Sequence, residues 1–179
     1  ALIADHLLRY PVGIHPSWRS GDNPAQLQTE LQLLAHLRGQ AVQSSRQHDI
    51  RMQLPATCRR LAAAGIGFDF SMGYGSINGF RASVASPYYW YDLEKEEQTS
   101  LLLFPFCFME ANSFYEQKNT AQQALAEMRH YRHVVAGVNG TLITIWHNNF
   151  LGTDAALQEW KQIYQTFLEE TAATSQPAF

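Results

Sequence analysis

A chain of 179 residues with 46% apolar and 16% charged side chains is long enough for one domain with a sizeable core. Its charge density lies well below the ~25% usual for soluble domains, which argues against disorder. A net charge of −3 and a pI near 6.2 argue against nucleic-acid binding through a basic field, and no apolar run approaches the ~18 residues of a membrane span.

Residues 1–9 read as a helix ended by Tyr10-Pro11, because the residue before proline is pushed out of the α region. Val12–Ile14 reads as a short strand, and residues 15–24 as a polar loop. Pro24 and Ala25 open a helix with Leu27, Leu31, Leu34 and Leu37 at helical spacing, stopped at Gly39 or Gln40. Ala41–Ser45 is the next strand and Arg46–Leu54 the next loop. Pro55–Ala64 is a helix with proline at its tolerated first position and Gly65 behind it. Ile66–Phe70 is a strand opening onto the glycine-rich loop Ser71–Ser76.

Phe80–Val84 reads as a short extended piece, followed by the aromatic stretch Ser86–Asp92 and the solvated charge run Glu94–Glu97. Leu101–Phe104 and Phe106–Met109 are strand-like. A long helix is expected over Thr120–Val138, a β-branched strand over Thr141–Trp146, and a last helix over Asp154–Glu170. That helix carries Leu157, Trp160, Ile163, Tyr164 and Phe167 on one face, and composition predicts that its tail, 171–179, frays. Strand, loop and helix repeat with short apolar strands, the pattern of a parallel sheet covered by helices. The fold class expected is therefore α/β, a single domain over 1–179, and too short for a complete eight-stranded barrel of ~250 residues.

Chemistry is usually placed at the carboxyl ends of parallel strands. Three runs end there in histidine: Gly13-Ile14-His15, Ser44-Ser45-Arg46-Gln47-His48, and Ile145-Trp146-His147. Imidazole is both a ligand for borderline divalent cations and a general acid near neutral pH. Asp69 ends a fourth run and Glu110 a fifth, completing an N/O ligand mixture of the kind zinc accepts. The other histidines, His6, His36, His130 and His133, fall inside helical patterns and read as surface residues. Arg46, Arg51 and Arg81 stand apart from the charge runs, where a guanidinium orients a carboxylate or binds an anion. Trp18, Tyr74, Tyr88, Tyr89, Trp90 and Trp146 offer flat apolar faces for sugar rings, or ordinary packing. Cys58 and Cys107 have no metal-type spacing and are expected to be buried free thiols.

Together, Gly13–Ser17, Ser45–His48, Gly65–Gly73, Gly79–Ala82 and Ile145–Asn148 resemble a divergent branch of the polysaccharide deacetylases, the NodB-homology carbohydrate esterases. The resemblance runs through most of residues 10–165. It implies a distorted (β/α)7 barrel and metal-dependent hydrolysis of N-acetyl or related acyl amides on a carbohydrate. It also implies His15 and His48 as ligands of a divalent metal, zinc above others, with Arg46, Asp69 and His147 as catalytic or supporting residues. Trp18, Tyr74, Arg81, Trp146 and Asn148 are then substrate-binding. The family's aspartate pair does not precede His15, since Asp5 stands alone inside an apparent helix. The second histidine of its ligand motif falls on Arg19. With a start at Ala1 and no initiator Met, the expectation is the later portion of a longer domain whose N-terminal segment is required for activity. The competing readings are a non-catalytic carbohydrate-binding domain of the same fold, and a metal-dependent amidohydrolase for a small amide.

Overall fold

The computed structural model describes residues 2–7 and 9–174, and it places helices where capping chemistry and apolar spacing predict them. Ala1–Gly73 with Ser86–Pro105 make up one unit; Tyr74–Ala85 with Phe106–Phe179 make up the other. No helix among the described residues is long and apolar enough to cross a membrane.

In the first unit, α1 spans Leu2–Leu7 and α2 spans Pro24–Arg38. The Asn23 side chain accepts a hydrogen bond from Gln26 N–H at 3.1 Å, Pro24 supplies a preset φ, and Gly39 ends α2 at φ 70°. Leu27 and Leu31 enter the core, whereas Leu37, expected on the same face, is 52% exposed. A third helix, α3, runs over Ala56–Ala63 and buries Thr57, Cys58 and Leu61.

Strands β1 (Ser44–Ser45), β2 (Phe68–Asp69), β3 (Tyr88–Asp92) and β4 (Glu97–Leu103) form a sheet of order β1-β2-β4-β3. The pairs β1–β2 and β2–β4 are parallel, and β3–β4 is an antiparallel hairpin. The stretch expected as a strand at Val12–Ile14 contributes a single parallel bridge, Ile14 to Ser45. The hairpin corrects the reading of Ser86–Asp92 as a mere aromatic segment. Trp90 and Asp92 point inward while Tyr89 and Tyr91 are half-exposed, the period-two pattern of an edge strand. Arg59 of α3 ties the hairpin down through two 2.6 Å hydrogen bonds to buried Asp92, holding that carboxyl below its usual range.

Gly13 lets the chain approach β1. Ile14 N–H donates to the Ser44 carbonyl at 2.9 Å and Arg46 N–H to the Ile14 carbonyl at 3.0 Å. A Cβ at position 13 would lie 2.6 Å from Ser44 Oγ and 2.7 Å from the Ser44 carbonyl oxygen. Gly13→Ala must therefore push this strand away, and we expect a loss of about 2 kcal/mol in urea unfolding. An unchanged midpoint would mean that the approach relaxes without cost.

In the second unit, β5 (Phe108–Met109) pairs in parallel with β6 (Thr144–Ile145). Helix α4 covers Ala121–Gly137 and opens on a capping box between Thr120 and Gln123. Helix α5 covers Gln158–Thr174, preceded by a 3-10 turn at Ala155–Leu157. Leu125 and Met128 of α4 meet Trp160, Ile163 and Phe167 of α5 in a core that also holds Phe108 and Phe150. Helix α5 runs on to Thr174, past the point where composition predicted fraying; residue 8 and the tail at 175–179 lie outside the described residues. Phe80–Val84, expected as extended, is a turn in which Ser83 takes φ 56°.

The architecture is thus mixed α/β, with mostly parallel strand pairing and flanking helices. Cys58 and Cys107 are free and buried, and burial pushes each thiol up to about 12, so both stay protonated and unreactive.

Candidate functional site

In the first unit the parallel register brings His15, Arg46, Gln47, His48, Asp69 and Ser71 to the carboxyl ends of neighbouring strands. His15 Nδ1 lies 2.7 Å from the Arg46 carbonyl oxygen. A carbonyl only accepts, so His15 Nδ1 is the donor in this contact. The same arrangement orients metal-ligating histidines, with one ring nitrogen anchored on backbone oxygen. The His48 ring sits 4.9 Å from that of His15, centroid to centroid. His48 opens a tight turn in which Asp49 and Ile50 both take positive φ, 53° and 52°. That conformation is costly for a β-branched residue, and such strain concentrates at functional sites. Gln47 is buried, and among the described residues its Nε2 finds no hydrogen-bond partner.

Asp69 is fully buried. Its carboxylate accepts from Ser45 Oγ at 2.5 Å, Ser71 N–H at 2.9 Å and Ser71 Oγ at 3.0 Å. Burial pushes the Asp69 carboxyl up; the hydrogen bonds from Ser45 and Ser71 hold it down, and burial wins. With its oxygens engaged inside the protein, Asp69 braces β1 against β2.

In the second unit, pairing of Met109 with Ile145 brings the residues just beyond each strand together. The Glu110 side chain is wholly buried, while 42% of the His147 side chain is exposed. Glu110 Oε1 accepts from His147 N–H and from His147 Nδ1, each at 2.6 Å. The double contact fixes both the backbone and the ring, with Nδ1–H donating to the carboxylate. Glu110 Oε2 is buried with no hydrogen-bond partner among the described residues.

The remaining predicted residues sort by exposure. Tyr74 is 37% exposed and anchored through its carbonyl, which accepts from Asn112 Nδ2 at 3.1 Å. Arg81 and Asn148 are exposed. Trp146 packs its ring on Phe108 and Tyr164 and belongs to the core of its unit. Trp18 is 54% exposed.

His15 and His48 therefore meet in one unit, and His147 meets Glu110 in the other. Among the described residues no three His, Cys, Asp or Glu side chains gather as a metal site. A catalytic zinc takes three protein ligands and a water, so the two imidazoles do not hold one by themselves. Sequence reasoning put Glu110 at a strand end as a carboxylate for a metal-ligand set and did not pair it with His147. The signal was the parallel run ahead of it, but only the register shows that it faces His147.

No family model matches the sequence, and no curated protein does. Among solved structures the chain is similar to a candidate polysaccharide deacetylase from Mycobacterium smegmatis, at 16% identity and a TM-score of 0.68. The match covers 97% of this chain and 60% of that one. At this identity the likeness is one of fold.

Proposed function

We propose that the chain is the later portion of a deacetylase-like barrel domain that hydrolyses an N-acetyl or related acyl amide on a carbohydrate. The observation that carries the reading is the buried Glu110 carboxylate gripping His147 at the end of β6. Amide hydrolysis needs a proton delivered to the departing nitrogen, because an amine leaves poorly as an anion. His147 Nε2 is the donor in this reading, and Glu110 keeps the ring in the tautomer and orientation for it, stabilising the imidazolium when it forms. In this reading Arg46, at the end of β1, takes the role of orienting a carboxylate. Asp69 keeps the strand ends that carry Arg46 and His48 in register.

A divalent cation, zinc by preference for imidazole, enters this reading only with ligands from outside the described residues joining His15 and His48. The proton transfer argued here does not run through it. A second reading, a carbohydrate-binding domain without catalysis, is favoured by the gathering, among the described residues, of His15 and His48 without a third metal-binding side chain.

The test is acetate release from a panel of N-acetylated oligosaccharides by the full-length protein. Release that depends on His147 is expected. Binding of the same sugars with no release by the wild type would move the assignment to the second reading.

A further inference from the structure

Glu110 is held in place by its backbone more than by its side chain. Its Oε1 accepts from His147, and its Oε2 finds no hydrogen-bond partner among the described residues. The position of this wholly buried carboxylate is therefore set by the chain on either side of it. That chain is clamped at both ends. Met109 N–H, one residue before, donates to Asn78 Oδ1 at 2.9 Å. Asn112, two residues after and 1% exposed, donates through Nδ2 to the carbonyls of Ile77 at 2.9 Å and Tyr74 at 3.1 Å. Gly79 N–H donates to the Cys107 carbonyl at 2.8 Å. Residues 74–79 are thus fastened to β5 and to the turn after it, within the unit that holds His147. That turn continues as a π-helix over Asn112–Glu116, a rare form that concentrates at functional sites.

Asn78 is itself oriented. Its Nδ2 donates to Glu127 Oε2 of α4 at 2.8 Å and to Ser113 Oγ at 3.3 Å. Fully buried Ser113 donates to the same Glu127 oxygen at 3.2 Å. A carboxylate only accepts and the Met109 N–H only donates, so the Asn78 amide fits one way round. Flipped, it would set oxygen against oxygen and nitrogen against N–H.

We infer that Asn78 is a positioning residue for the Glu110–His147 pair, and that Glu127 fixes the amide through which it acts. Asn78 works through the Met109 peptide: a shift of that peptide moves the Glu110 carboxylate, and with it the His147 ring. A misplacement of about 1 Å at a reacting group can cost about 10²-fold in rate. The effect on turnover rests on the deacetylase-like reading of the pair; the clamp itself does not.

The experiment compares Asn78→Asp, Glu127→Gln and the double variant Asn78→Asp/Glu127→Gln in the full-length protein. One readout is acetate release from a panel of N-acetylated oligosaccharides. The other is the NMR signal of the His147 Nδ1 proton, assigned by its loss in His147→Gln. Asn78→Asp sets two carboxylates against each other and should lower kcat about ten- to a hundredfold with KM unchanged. Glu127→Gln offers the Asn78 amide both a donor and an acceptor, so it should lower kcat less and broaden the His147 signal. The double variant exchanges acid and amide while keeping the donor–acceptor pattern. It should restore most of kcat and the wild-type signal, which a simple loss of packing would not. Recovery of the signal in the double variant, with no acetate released by the wild type, upholds the clamp and removes the deacetylase reading. A double variant no faster than Asn78→Asp, or a His147 signal unmoved in Glu127→Gln, overturns the clamp and leaves the reading standing where the wild type releases acetate.

Discussion

His147→Gln is expected to lower turnover of an N-acetylated sugar by about 10² to 10⁴, the usual contribution of a positioned general acid. Glutamine preserves most of the volume, and its amide can still meet Glu110, so the change falls on proton delivery. Binding should be little altered, so the loss should appear in kcat and leave KM nearly unchanged. Glu110→Gln is expected to lose less. Its amide oxygen can still accept from His147 N–H and Nδ1, but it no longer offers a negative charge to the imidazolium. The two residues act as one unit, because a single carboxylate oxygen serves both the backbone and the ring of His147. A KM increase with kcat intact in His147→Gln would assign the residue to binding instead.

Asp69→Ala should cost on the order of 3 kcal/mol or more in chemical denaturation. It leaves the Ser45 hydroxyl, the Ser71 N–H and the Ser71 hydroxyl without their acceptor inside the protein. The sign of the pH effect follows from the direction of the shift. The folded carboxyl is raised above its unfolded value, so the native state binds the proton more tightly. That contribution is fully present below the unfolded value, about 3.9 for aspartate, and is lost as pH rises through the folded value. Asp69→Asn does not titrate. Urea unfolding at a series of pH values should therefore show the asparagine variant gaining on the wild type as pH climbs out of the acid range. A stability difference that stays flat with pH would mean that burial does not control this carboxyl.

The helices were legible because their signals are local. Pro24, Asn23 and Gly39 bracket α2, and Trp160, Ile163 and Phe167 recur along the last helix at intervals that an α-helix turns into one face, with Leu157 in the turn just ahead of it. The β3–β4 hairpin was legible only in part. Its inner half, Leu101–Leu103, is apolar, but Glu97–Ser100 is polar and merges with the charged turn, and Pro87 hides the start of β3. Edge strands bury one face at most, so their alternation is weak in the sequence. Phe80–Val84 has the composition of a strand but turns instead, with Ser83 at positive φ.

At the site, the strand-end rule found His15, His48 and Asp69, because a short apolar run followed by a polar residue marks the carboxyl end of a parallel strand. What it could not supply was pairing. The hydroxyls of Ser45 and Ser71 that occupy Asp69 come from register across β1 and β2. Glu110 and His147 stand 37 positions apart and meet only through the β5–β6 ladder. Exposure was equally hidden: Trp146 and Trp18 look alike as aromatic loop neighbours, yet one is packed on Phe108 and Tyr164 and the other faces water.

The most direct test of the account is a double-mutant cycle on acetate release by the full-length protein, comparing wild type, His147→Gln, Glu110→Gln and the double variant. The account predicts that the double variant is no slower than His147→Gln alone, since Glu110 acts only through the imidazole it holds. Losses that multiply in the double variant, or full activity in His147→Gln, would contradict it.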